Sequence, residues 1–155
     1  MNINGDFREE YHTTLYRTWM LIDKLGKNKK GDPILSLDKA SILDLIIKNP
    51  SLLKKARNYI GTPDTPNEIG DILYNTNLAQ SHKTRKRSFL TTALLLSEMG
   101  LIELKKINSE YFVSCIISPS EPDNDLINQL TEQILSIKGL VSKSASVITN
   151  NILGE

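Results

Sequence analysis

Cysteine is almost missing from this 155-residue chain: Cys115 stands alone, so no intrachain disulfide can form and a reducing compartment is expected. Long apolar runs are missing too. No stretch approaches the roughly 20 residues that cross a bilayer, and the polar start Met1-Asn2-Ile3-Asn4-Gly5-Asp6 lacks a signal-peptide core. The expectation is a cytoplasmic protein with no membrane contact. Excess charge of one sign is also lacking: the net charge of +1 argues against a binder that works by bulk basicity, although a local patch still acts within a Debye length of about 8 Å.

Catalytic patterns are scarce. His12 and His82 stand far apart with no HExxH-like spacing, Cys115 lies inside an apolar alternation, and no carboxylate pair or Ser/His/Asp set stands out. The nearest approach to a phosphate-binding loop is Gly26-Lys27-Asn28-Lys29-Lys30-Gly31-Asp32-Pro33. It has two glycines at the Walker spacing, but Asp32 and Pro33 occupy the places of Lys and Ser/Thr, and a helical pattern precedes it instead of a strand. The chain is therefore expected not to be an enzyme, to hold no metal and to need no cofactor.

What is there is ordinary globular material, with 39% hydrophobic and 24% charged residues, enough for one compact domain with a real core. The charge is unevenly placed. From Lys24 to Arg57 there are nine Lys/Arg against three Asp, whereas from Ile107 onward there are two Lys against six Asp/Glu. The front is basic and the tail acidic.

Helical spacing of Tyr11, Leu15, Trp19 and Ile22 predicts a first helix over 7–25, stopped by Gly26. Ser36 can cap a second, with Leu37, Ile42, Leu45 and Ile46 as its stripe and Asn49-Pro50 as its end. Pro50 opens a third through Leu52, Leu53, Ala56 and Tyr59, closed by Gly61. A turn at 62–66 and a short helix over 68–74 follow. The segment 88–99 carries Ala93-Leu94-Leu95-Leu96, apolar enough to predict a helix buried on several sides, with Gly100 as its stop. Two short strands come next, at 101–104 and 111–115, joined by a bend at Asn108-Ser109-Glu110, with Tyr111, Val113, Cys115 and Ile117 alternating onto one face. After Ser118-Pro119, Asp123 or Asn124 can cap a tail helix; Gly139 interrupts it and Val141, Ala145, Ile148 and Ile152 continue the spacing, so the tail is expected to be one kinked helix or a helical hairpin.

A basic lead, an apolar helix ended by glycine and a hairpin follow one another as in a winged helix. The predicted fold is mainly α with a small β-hairpin: a single winged-helix-like domain with N-terminal and C-terminal helical extensions. Residues 1–35 would form the first helix and basic loop, 36–118 the winged-helix core, and 119–155 the helical tail.

Two groups of residues are candidates for contact. Lys83, Arg85, Lys86 and Arg87 place four cations within five residues ahead of a helix, where they can meet nucleic-acid phosphates, an acidic protein surface or only solvent. Direct base reading is disfavoured, because residues 88–99 offer few polar side chains beyond Ser88, Thr91, Thr92 and Glu98. Trp19 with Leu126, Leu130, Ile134 and Ile137 forms the second group, apolar positions that either pack on the domain or bind a partner.

The stretches Leu37-Asp38-Lys39-Ala40-Ser41-Ile42-Leu43-Asp44-Leu45, Asn49-Pro50-Ser51-Leu52-Leu53 and Ala93-Leu94-Leu95-Leu96-Ser97-Glu98-Met99-Gly100-Leu101-Ile102 resemble the middle component of ABC-three-component systems. The small subunit of Lamassu-type anti-phage defence complexes belongs to that group. The resemblance, which runs from about Leu37 onward, implies a non-catalytic winged-helix subunit joining an SMC/Rad50-like ATPase to an effector, often a nuclease, and helping to control it; contact with DNA is a separate expectation, from the basic run. It departs from the family at Ser118-Pro119, where a glycine is expected soon after the second strand. The alternative is a free winged-helix DNA-binding transcriptional regulator.

Overall fold

Polar caps set the helix boundaries. The computed structural model of the protein describes residues 3–62 and 82–154, with residues 3–10 and 82–85 described through their backbone alone. The expected helix over 68–74, and all but the first residue of the turn at 62–66, lie outside the described residues.

Helix α1 (Ile3–Leu25) stops at Gly26 as its sequence predicts. Helix α2 (Leu37–Lys48) begins where Ser36 Oγ accepts the Lys39 N–H at 3.1 Å. Asn49 closes α2 and also caps α3 (Pro50–Ile60), its Oδ1 accepting from the Ser51 and Leu52 amides; Pro50, with no N–H of its own, sits in the first turn. Helix α4 (His82–Glu98) leads into strands β1 (Ile102–Ile107) and β2 (Glu110–Cys115).

The strands pair antiparallel from Ile102↔Cys115 to Ile107↔Glu110. Their turn is two residues long, Asn108 and Ser109 at φ 51° and 70°, the left-handed pair whose twist suits a tight hairpin. Glu110, assigned to the bend from sequence, is already paired. A further segment adds to the sheet: the Val113 N–H donates to Leu35 O at 2.9 Å and Ser36 bridges Phe112. Strand β2 thus lies between β1 and Leu35-Ser36.

Burial differs from the sequence pattern in an informative way. Met20, Leu21 and Ile22 are successive and have no exposed surface, so α1 is enclosed on several sides by α2, α4, α5 and β2. The predicted stripe was too narrow, and its member Tyr11 is exposed. Helix α4 is the reverse. It buries Phe89, Ala93 and Leu96 but leaves Leu90 and Leu94 39% and 48% exposed, because α1, α2 and the hairpin cover only one side of it.

The tail is not one kinked helix or a helical hairpin. Helix α5 (Asp125–Ser136), capped by Asn124, gives way to a 3₁₀ segment (Lys138–Ser142), then to the short α6 (Ala145–Ile148) and a wide turn over Thr149–Leu153. This bend packs on α3, with Gly139 facing Ile60 at ordinary van der Waals distance. Ile134, Ile137, Leu140, Ile148 and Ile152 are fully buried beside residues of α1 to α4, so the tail completes the core. No helix among the described residues is long and apolar enough to cross a membrane.

Candidate functional site

The basic run is part of a helix. Because α4 starts at His82, Lys83, Arg85, Lys86 and Arg87 occupy its first turns and do not precede it as a loop. The side chains of Lys83 and Arg85 lie outside the described residues. Lys86 is partly spent within the fold: its Nζ lies 2.7 Å from Asp38 Oδ1 at the start of α2. Arg87 is exposed and has no ion-pair partner among the described residues.

Two hydroxyls of α4 bond back to the helix itself. Thr91 Oγ1 donates to Arg87 O at 2.9 Å and Thr92 Oγ1 to Ser88 O at 3.1 Å. Among the exposed side chains there, Leu90 and Leu94 project one helical turn apart, with Arg87 at their N-terminal end and the polar Ser88, Thr91 and Glu98 exposed on the same helix. Beside them a cavity of about 320 Å³ opens between α2, α4 and the hairpin turn, lined by Leu37, Phe89, Leu90 and Tyr111.

The apolar tail set divides in two. Ile134 and Ile137 have no exposed surface, which corrects their assignment to a partner surface: in this fold they are core. Leu130 is half-buried, and Leu126 is 77% exposed at the start of α5. Between Leu126, Leu130 and Gln133 on one side and His12, Thr13 and Tyr16 of α1 on the other runs a groove of about 440 Å³. Trp19 is half-buried and its indole N–H donates to Ile117 O at 2.7 Å. It fastens the strand exit to α1, together with Tyr16 (hydroxyl to Ser120 O, 2.7 Å), Asp23 (accepting from Ser118 Oγ, 2.7 Å) and Lys24 (to Glu121, 2.9 Å).

The glycine-flanked loop after α1 is closed on itself. Asn28 Oδ1 accepts the amides of Lys30 and Asp32, both at 2.9 Å, and Asn28 O accepts that of Gly31 at 3.0 Å. The amides of Asn28, Lys30, Gly31 and Asp32 already have partners and are not offered to a phosphate, while Lys27, Lys29 and Lys30 are exposed.

Titration is perturbed at three described groups. Burial pushes the Cys115 thiol up from 9.0 to about 11, and Sγ lies 2.9 Å from Ile117 O, so it stays a thiol at neutral pH. Burial holds Lys39 below its usual value, with the Glu110 carboxylate acting the other way, and its Nζ donates to Val141 O at 2.8 Å. Tyr16 is raised by burial and then by Glu121. No group of three His, Cys, Asp or Glu side chains that could hold a metal ion occurs among the described residues.

Sequence reasoning missed Leu90 and Leu94, reading four successive apolar residues as core. Phe89, Ala93 and Leu96 already complete an i, i+4, i+7 stripe, which leaves the other two leucines on a different face. No protein-family model, curated protein or solved structure matches the chain.

Proposed function

We propose that the chain is a non-catalytic accessory subunit that joins an SMC/Rad50-like ATPase to an effector nuclease in a bacterial anti-phage defence complex, acting through a winged-helix-like module. The partners come from the family resemblance noted above. Support for the module comes from strand order: Leu35-Ser36 follows the first helix and pairs with β2, so the three short segments have the order of a winged-helix sheet. Helix α3 is an addition to that plan.

The observation that carries the reading is the outward face of α4. In this topology the helix before the hairpin is the recognition helix, and here it offers Leu90 and Leu94, with the Thr91 and Thr92 hydroxyls donated to the helix's own carbonyls. Base edges call for Arg, Asn or Gln, whereas exposed leucines suit a protein partner. Coexpression with the neighbouring genes tests it: the wild-type chain should co-purify with a coiled-coil ATPase, and a Leu90→Asp/Leu94→Asp chain should not. A wild-type chain recovered alone from every such combination removes the idea.

One observation favours the second reading, a free winged-helix DNA-binding regulator: Arg87 is exposed and without an ion pair among the described residues, in a run that also contains Lys83 and Arg85. Phosphate contacts of that kind would give duplex binding that falls steeply with salt. Absence of binding at low salt eliminates this alternative.

A further inference from the structure

A second cavity, of about 410 Å³, lies where the end of α1, the Asn28 loop and the 3₁₀ segment meet. Its walls include Leu25, Ile34 and Val141, and Lys24, Lys27 and Lys138 stand at its edge. Lys29 and Lys30 extend from the same loop, and Lys143 follows the 3₁₀ segment. Of these six cations only Lys24 is ion-paired, to Glu121 and, at 4.0 Å, to Asp23; the others have no acidic partner among the described residues. Asp32, the acid of the loop itself, faces Asn28 Nδ2 at 3.5 Å. The cavity is an apolar hole at whose rim Lys27 and Lys138 carry positive charge with no acidic partner among the described residues.

Its counterpart is on the same chain. Leu126 is the most exposed large apolar side chain among the described residues, at 77%, and it follows the exposed carboxylates of Asp123 and Asp125. The knob is apolar and its collar negative. It does not fill its own hole: Leu126 lines the groove formed with His12 to Arg17 of α1, whereas the cavity is lined by Lys24 and Leu25, at least seven residues further along that helix, about 10 Å at 1.5 Å per residue.

We propose that this protein self-associates head to tail, with Leu126 of one copy seated in the lysine-ringed cavity of the next and Asp123 and Asp125 facing Lys27 and Lys138. Charge complementarity and the matched apolar centre favour a second copy of the chain over a nucleic acid, whose phosphates need no apolar chamber. The two surfaces differ, so the contact is heterologous and propagates unless it closes into a ring. The inference does not depend on the ATPase and nuclease partners, since it concerns the isolated chain.

Sedimentation velocity of the full chain at low and high salt tests it, with association expected to grow with protein concentration and to weaken as salt screens the collar. Lys27→Glu/Lys138→Glu should be monomeric alone, as should Asp123→Lys/Asp125→Lys. An equimolar mixture of the two should associate again, because every hole then meets a knob of opposite charge. Misfolded variants could not produce that rescue. Leu126→Gln, which leaves the collar unchanged, should weaken association roughly tenfold or more. A wild-type chain that stays monomeric at low salt and high concentration overturns the proposal, which would leave the cavity to a different occupant. So does association that survives the charge reversals, or a mixture that fails to restore it.

Discussion

Arg17 of α1 places its Nε 3.0 Å from Asp44 Oδ1 of α2, while Lys48 Nζ stands 3.5 Å from the other carboxylate oxygen. The Arg17 and Asp44 side chains are 12% and 6% exposed, so the pair fastens the two helices where water is mostly excluded. Asp44→Ala leaves the guanidinium without its counter-charge and should cost about 3 kcal/mol, read from the urea midpoint. Arg17→Met with Asp44→Leu should recover most of that loss. A double variant as unstable as the single one would show that the charge pair is not the source.

Gly26 should tolerate no side chain. A Cβ there would lie 3.1 Å from Val113 O, 3.3 Å from Ser114 Cα and 2.5 Å from Ile22 O, all of them backbone atoms that cannot swing aside. Gly26→Ala is expected to destabilise by about 1–3 kcal/mol, the range for overfilling a packed site. An unchanged melting temperature refutes it.

Cys115 should give a pH signature. The native thiol holds its proton to about pH 11, whereas an unfolded thiol releases it near 9.0, so stability is fully present below 9 and declines as pH rises from 9 to 11. Alkylation of the native protein should accelerate with a midpoint near the upper value, and in denaturant near the lower one. Cys115→Ser should flatten that part of the stability profile. Equal midpoints in the two states would contradict the account.

Leu94→Lys separates surface from core. The side chain is 48% exposed, so the melting curve should move by no more than about 1 kcal/mol equivalent, while capture of the proposed ATPase partner should fall sharply. Ala93→Leu, one residue earlier and fully buried, should instead cost stability. Loss of folding in Leu94→Lys would return this face to the core.

Local chemistry made much of the fold legible. Ser36, Asn49-Pro50, Gly61 and Gly100 mark boundaries because each satisfies or releases specific backbone groups, and these act over a few residues that a reader of the chain can see. What could not be seen was which face each helix hides. Met20 and Leu21 are buried because α4 and α5 come back from distant sequence to cover them, and Leu94 is open because nothing described returns to cover it. The candidate site suffered from the same blindness. Ile134 and Ile137 have the pattern of an interface stripe, yet the 3₁₀ bend after Ser136 folds them into the chain's own core. Lys86 looked like a free cation until α2 brought Asp38 beside it.

The Asn28 loop separates two kinds of information. One amide side chain answers for its backbone, so the fold asks nothing of the side chains of Lys29 and Lys30. Their charge can drift, be reversed or be erased over evolutionary time without a penalty in folding. Related proteins could therefore retune what this corner attracts while keeping the same scaffold, and an engineer could do so at the bench.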